Sequence, residues 1–389
     1  MSFKTLQDVG EVKGKKALVR VDFNVPMKDG KVVDGYRIEK TLPTINLLRE
    51  KGAKVLLMGH IEFSPLEKVA NPNGKATLRP VVDYLAQYFP VKFAEDFFGN
   101  SAQMALSDLQ DGEVVLFENL RNDPGEEEND QSFAKNLAAL GDFYVGDAFS
   151  AAHRKHASIV GVPRFLPSYA GLLMQSEIEN ISQVFNPPHP FLFILGGAKF
   201  DTKLPLIQKF LTLAEHVFVG GALANNFFLE KKLNIGTSLV SKGDFNIKDL
   251  FSDQRLVIPT DVTVLSGNNR IVKKPEEVLD NESILDAGPE SVELIRKMVE
   301  ESKCVLWNGP LGNYEKGFVE PTNAVATMLA ENTAKGVKTI VGGADTLASI
   351  SSTGAEEKIS FISTGGGAML QYLLDETLPG IEALEEKTA

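Results

Sequence analysis

Short apolar runs separated by stretches of helical periodicity recur along this chain, and that rhythm leaves few architectures open to it. From the amino end the runs are Ala17–Phe23 (ALVRVDF), Lys54–Met58 (KVLLM), Val114–Phe117 (VVLF) and Phe143–Val145 (FYV). Between them, Ile38–Lys51 places Ile38, Leu42, Ile45 and Leu48 on one stripe of a helix, with Glu39, Lys40, Arg49 and Glu50 on its other faces. Thr77–Phe89 and Asn129–Leu140 read the same way, with Pro80 tolerated only in a first helical turn. Strand alternating with helix is the pattern of a parallel sheet.

After Pro187 and Pro188 a second series begins: Phe191–Leu195, His216–Val219, Leu256–Ile258, Cys304–Trp307, Thr339–Val341 and Ile359–Ser363. The reading is therefore α/β, with two doubly wound parallel-sheet domains facing a cleft and joined by a helix. Ser168–Phe185 is amphipathic enough to supply that helix. The division follows as residues 1–170, an interdomain helix at 171–186, and residues 187–374. Several runs of the second series end in glycine, and in doubly wound sheets ligands bind at the carboxyl ends of the strands.

With 52 acidic against 40 basic residues the net charge is −12, so the surface as a whole repels nucleic acid and anionic lipid, and any anion site must be local. Neither nucleic acid nor membrane is expected as a partner. The one cysteine, Cys304, excludes an internal disulfide framework and reads as a core thiol, which together with the absence of a signal-like apolar start suggests a cytoplasmic protein.

Neither GxGxxG nor GxxxxGK[ST] occurs. Instead Gly196–Lys203 (GGAKFDTK), Gly220-Gly221, Gly342–Thr346 (GGADT) and Gly365-Gly366-Gly367 follow apolar runs, where glycine permits close approach and a following helix start offers amides to an anion. Lys199 and Lys203 reach one anion if that stretch is helical. Asp345 suits magnesium bridging nucleotide phosphates and Thr346 suits a phosphate hydrogen bond, while helix capping explains both equally well. Ordinary turn geometry explains each glycine cluster taken singly. In the first half Arg37, His60, Arg121, Arg154 and His156 form a dispersed basic set that would make a polyanion pocket if it converged. Taken singly, each arginine reads as a surface charge and His60 as a structural histidine.

Collectively these motifs resemble the phosphoglycerate kinase family over nearly the whole chain. RVDFNVP at 20–26, Tyr36-Arg37-Ile38, ENLR at 118–121 and DAFSAAHRKHAS at 147–158 resemble its substrate-side motifs. GGAKFDTK, WNGPLG at 307–312, GGADT and STGGGA at 363–368 resemble its nucleotide-side motifs. The resemblance implies reversible phosphoryl transfer from 1,3-bisphosphoglycerate to Mg-ADP, giving 3-phosphoglycerate and ATP, by a monomer whose domains close by a hinge. It implies that Asp22, Asn24, Arg37, His60, Arg121 and Arg154 bind phosphoglycerate. Gly197, Lys199, Lys203, Gly221, Asn308, Glu315, Gly342, Gly343, Asp345 and Thr346 would bind nucleotide, with Asp345 holding magnesium through the phosphates. Arg37, Lys199, Gly366 and Gly367 would act on the transferring group. Residues 375–389 would return to pack on the first, phosphoglycerate-binding domain.

The pattern is broken at Leu57–Pro65 (LMGHIEFSP), where Glu62 and Phe63 stand in place of a glycine-arginine pair. Ser150-Ala151, Asn122, Ala344 and Pro321 are further departures. Glu62 either repels the substrate or pairs with an arginine. The departures keep open a weakened or non-catalytic nucleotide-binding interaction protein, and a kinase for a related acyl phosphate.

Overall fold

The computed structural model describes residues 3–63, 68–69 and 74–385, apart from the side chains of Ala344 and Asp345. Ser64, Pro65 and residues 386–389, on which expectations were placed, lie outside the described residues. Two units emerge from the contact pattern, residues 1–179 with 375–389 and residues 180–374. The division falls inside the helix Leu172–Ile181, close to its end.

In the first unit the strands are β1 (Lys16–Val21), the short hairpin β2 (Met27–Lys28) and β3 (Lys31–Val32), β4 (Lys54–Met58), β5 (Val91–Ala94), β6 (Val114–Phe117), β7 (Phe143–Asp147) and β8 (Ser168–Ala170). Six of them form a sheet in the order β5-β6-β4-β1-β7-β8. Every pairing in it is parallel. Val19, Val55, Leu57, Leu116 and Val145 enter one cluster with Ile38, Ile45 and Leu48 of the helix Tyr36–Glu50. Their neighbours Leu18, Leu56, Val115 and Tyr144 are equally buried on the opposite face. Burial on both faces is why these strands read as unbroken apolar runs. The helices Arg79–Leu85, with Pro80 in its first turn, and Gln131–Ala138 are shorter than the patterns that announce them.

Ser168–Phe185 is not one helix. Ser168–Ala170 pairs with Tyr144–Gly146 as an edge strand, and Tyr169 packs edge-on against Phe143. After that strand position 171 admits only glycine, because a β-carbon there would lie 2.1 Å from Asp147 Oδ1. That same oxygen accepts the amides of Leu173 and Met174, at 3.0 and 3.2 Å, and so caps the helix Leu172–Ile181 from a neighbouring strand. Burial pushes the Asp147 carboxyl up to about 7.

The second unit holds β9 (Phe191–Leu195), β10 (His216–Val219) and β11 (Leu256–Val257), the antiparallel strands β12 (Val262–Ser266), β13 (Asn269–Lys273) and β14 (Glu282–Ala287), and then β15 (Cys304–Asn308), β16 (Lys338–Gly342) and β17 (Phe361–Ile362). Its main sheet runs β11-β10-β9-β15-β16-β17, again wholly parallel. Cys304 is buried within it, its thiol pushed up to about 11 by burial. The antiparallel sheet was not expected. It turns through Gly267-Asn268, with Gly267 at φ +59°, and buries Val262, Val264 and Ile284 against Ala224 and Phe228 of the helix Leu223–Glu230.

Residues 375–385 belong to the first unit. Gly380 N donates to Ala152 O at 2.8 Å, Ala383 packs on Ala151 and Ile159, and Phe3 bridges to Glu385. A β-carbon on Gly380 would lie 2.9 Å from Ile159 and 3.0 Å from Ala152. Gly380→Val should therefore destabilise the first unit by about 1–3 kcal/mol, read as a lower urea midpoint. An unchanged midpoint would show that the returning segment contributes nothing to its stability.

Candidate functional site

Parallel pairing puts the carboxyl ends of all strands of a sheet on one edge, and in the first unit the loops leaving that edge carry the basic set. Asp22 and Asn24 follow β1, His60 and Glu62 follow β4, Arg121 follows β6, and Ser150, Arg154 and His156 follow β7. Arg37 lies in the first turn of the helix Tyr36–Glu50. Asp22 is wholly buried, accepts from Asn24 N at 3.2 Å and from the Ser150 hydroxyl, and pairs with Arg37 Nη1 at 3.3 Å. The same nitrogen donates to Asn24 O at 3.2 Å. Two short anchors thus aim the Arg37 guanidinium.

Beneath this lies a buried network that sequence reasoning did not single out. Arg20 is 1% exposed; its Nε donates to Ser158 Oγ at 2.8 Å and its Nη2 to His60 Nδ1 at 3.0 Å. Ser158 in turn donates to the buried Glu126 through both its hydroxyl, at 2.6 Å, and its amide, at 2.8 Å. Glu126 is the counter-charge for Arg20, carried through a hydroxyl, which satisfies the requirement that a buried charge be paired. Because an arginine can only donate, His60 Nδ1 is the acceptor and Nε2 carries the ring proton. Burial, then Arg20 and Arg121, hold His60 well below its ordinary 6.5. Burial and the same two arginines bring His156 down to about 4. The pocket's positive charge at neutral pH therefore comes from guanidinium groups, with the imidazoles as neutral polar walls.

Arg121 is the most telling of them. Its side chain is 14% exposed, and Nη1 takes both Glu62 Oε1, at 2.6 Å, and Glu127 Oε1, at 2.9 Å. Nε and Nη2 are buried with no hydrogen-bond partner among the described residues. Arg154 Nη1 reaches the same Glu62 oxygen at 3.4 Å. The basic set thus converges, and Glu62 pairs with its arginines.

In the second unit the glycine loops again leave the carboxyl edge. Gly197, at φ +95°, accepts the amide of Leu223 and donates to Pro310 O, and a β-carbon on Gly221 would lie 2.7 Å from Gly197 N. Backbone is packed on backbone there, so only glycine fits. The helix Phe200–Leu211 starts one residue after Lys199, which is exposed at its cap. Lys203 is buried, and its Nζ donates to Gly196 O at 2.6 Å and Asn308 Oδ1 at 3.4 Å. The two lysines thus occupy different surroundings. Asn308 Nδ2 donates to Gly342 O at 3.0 Å, and Gly309 N donates to Thr346 Oγ1 at 2.9 Å. Asn308 and Thr346 therefore tie loops together. The space a Gly342 side chain would need is filled by Met369. Gly343, at φ +108°, caps the helix Ala344–Thr353, whose first turn contains Asp345; the Asp345 side chain lies outside the described residues. Gly366 and Gly367 open the helix Gly366–Asp375 with free space beside both, and first-turn amides have no partner within their own helix.

A cavity of about 320 Å³ lies beside these loops, lined by Gly197, Gly221, Pro310 and Glu315. Val262, Ile284, Phe228 and Leu239 give it an apolar wall. Apart from Leu239, which lies in the loop after the helix, that wall comes from the antiparallel sheet and the helix it covers; the Gly267-Asn268 dipeptide between two β-rich runs was the sequence signal for it. Asp286 also lines the cavity, its carboxyl pushed up to about 8 by burial against the opposing Ala287 amide.

A basic pocket on one parallel sheet, and an apolar cavity rimmed by glycine loops on another, define an α/β protein with a candidate ligand site at the carboxyl edge of each sheet. The phosphoglycerate kinase family profile matches residues 6–376. The phosphoglycerate kinase of Fervidobacterium nodosum is 40% identical, with 98% of each chain covered, and that of Herpetosiphon aurantiacus 42% identical, with 100% of each covered. The structure of phosphoglycerate kinase from Coxiella burnetii superposes with a TM-score of 0.81 at 32% identity, covering 98% of this chain and 99% of that one. The chain belongs to the phosphoglycerate kinase family.

The neutral histidines carry a consequence for stability. Folded His60 and His156 resist protonation, whereas in the unfolded chain both protonate near 6.5, so the unfolded state takes up more protons as the pH falls below that value. The stability these two histidines contribute should fall from about pH 6.5 towards the folded value of about 4 for His156, against the opposite contribution of the raised carboxyls of Asp147 and Asp286 over the same range. His156→Gln should flatten part of that slope, seen in urea midpoints at pH 7 and pH 5. An identical slope in both proteins would mean that His156 is not held neutral.

Proposed function

We propose that this chain transfers a phosphoryl group reversibly between 1,3-bisphosphoglycerate and ADP, giving 3-phosphoglycerate and ATP. Family membership over nearly the full length supports the reaction. The observation that carries the site assignment is the buried guanidinium of Arg121, two of whose nitrogens lack partners among the described residues. Unpaired buried donors of that kind are costly, and an anion would satisfy them.

In the ATP-forming direction a β-phosphate oxygen of ADP attacks the acyl phosphorus, a new P–O bond forms, the acyl P–O bond breaks, and a carboxylate leaves. No protein nucleophile is needed, and the chain's work is alignment and neutralisation of charge. Asp22, Asn24, Arg37, His60, Arg121 and Arg154 would hold the phosphoglycerate. Arg37, Lys199 and the amides at Gly366 and Gly367 would meet the transferring group. The apolar cavity would take the nucleoside, with Glu315 receiving ribose hydroxyls, Gly197 and Gly221 admitting its close approach, and Lys199 and Lys203 serving the phosphates. Asn308, Gly342, Gly343 and Thr346 would hold the phosphate loops in shape.

Magnesium supplies charge neutralisation on the nucleotide phosphates. Bound with the nucleotide, it would be held by Asp345 through the phosphates, as an oxygen-preferring ion suits. Among the described residues no cluster of three or more His, Cys, Asp or Glu side chains could hold a metal by itself. Among the described residues no helix is long and apolar enough to cross a membrane. A monomer in the cytoplasm accompanies this reading.

Coupled measurement of ATP formation from 1,3-bisphosphoglycerate and Mg-ADP tests it. Turnover is expected, and Arg37→Ala should lower kcat by about a hundredfold or more while changing Mg-ADP affinity by less than about twofold. Folded protein without turnover would overturn the reaction, and an active Arg37→Ala variant would overturn the role of Arg37.

A further inference from the structure

We propose that the Glu62 carboxylate is a resident competitor for the anion pocket, seated on Arg121 and Arg154 where an incoming phosphate or carboxylate must displace it. The proposal rests on reading these arginines as the phosphoglycerate site. Three observations carry it.

The first is occupancy. Glu62 Oε1 lies 2.6 Å from Arg121 Nη1 and 3.4 Å from Arg154 Nη1, so one carboxylate oxygen bridges both guanidinium groups. An anion seeking those two donors meets a charge of its own sign already in place.

The second is incompleteness. Glu62 engages Arg121 through one nitrogen only, leaving Nε and Nη2 buried without partners among the described residues. A carboxylate placed for best affinity takes a guanidinium with two parallel bonds. Glu62 holds the site with a single-point contact that a ligand offering more oxygens outcompetes.

The third is delivery. The backbone leading into Glu62 is pinned: Glu62 N donates to Asn24 Oδ1 at 3.0 Å, Ile61 N donates to Asn119 Oδ1 at 3.3 Å, and Asn119 Nδ2 donates to Ile61 O at 2.8 Å. The Glu62 side chain itself is 43% exposed, so it can swing to water while its backbone stays fixed. A tethered carboxylate has a high effective concentration, and its displacement requires only side-chain rotation. Glu127 is the other acid on Arg121, at 2.9 Å, and remains as a partner after Glu62 leaves.

The consequence is graded affinity. Weak monoanions should fail to evict Glu62, and ligands with several charged oxygens should succeed, at an affinity lowered by the eviction. Calorimetric titration of wild type, Glu62→Gln and Glu62→Ala with 3-phosphoglycerate and with inorganic sulfate tests this, alongside wild-type turnover. Both variants should bind both anions roughly fivefold more tightly, the scale of a partly exposed ion pair removed as a rival. Equal or weaker anion binding in both variants would overturn the proposal, whatever the wild-type turnover. Tighter sulfate binding in the variants, with no binding or turnover of 3-phosphoglycerate by any of the three proteins, would uphold the displacement and overturn the phosphoglycerate assignment.

Discussion

Parallel pairing is the constraint from which the rest of the structure follows. A strand that must return in the same direction needs a crossover, so each strand end becomes a loop leading into further structure, and all such loops share one edge. In the first unit that edge gathers Asp22, His60, Arg121 and Arg154 from four different strands. In the second it gathers the glycine turns after β9, β10, β16 and β17. Residues far apart in sequence become neighbours because the sheet order leaves them nowhere else to go.

The two candidate sites are built differently. In the first unit Arg20 sits in the core with Glu126 as its counter-ion through Ser158, and this positive, poorly solvated setting keeps the nearby imidazoles neutral. The resulting pocket is built on permanently charged groups, so its attraction for anions does not depend on histidine titration. The second unit relies more on backbone. Its glycines let loops pack amide against carbonyl, while its buried lysine and Asn308 cross-link them. Its cavity wall is apolar, which suits a planar base better than a phosphate.

Most of the sheet framework was legible in the sequence because strands covered on both faces carry unbroken apolar runs. β4, β6, β9 and β10 coincide with runs read directly from the residues. The strands that escaped are those covered on one face or at an edge. β5 is only partly buried along most of its length, β8 is three residues long, and β13 is almost wholly exposed. The site was legible in the same selective way. Arginine and histidine after a strand stand out by residue type, so Arg37, His60, Arg121 and Arg154 could be named. The Arg20–Ser158–Glu126 network could not, since its partners are 138 and 32 residues apart and serine carries no signal of its own. Glu62 could be seen as a departure, but its seat on two arginines is a fact of three dimensions.

The central claim is that the carboxyl edge of each parallel sheet holds one of two anionic reactants. A crystal structure with 3-phosphoglycerate and Mg-ADP bound tests it most directly. It should show phosphoglycerate oxygens within hydrogen-bond distance of Arg37, Arg121 and Arg154, and the nucleoside in the cavity beside Gly197, Gly221 and Glu315. Either ligand seated at the opposite edge of its sheet, or away from both sets of residues, would contradict it.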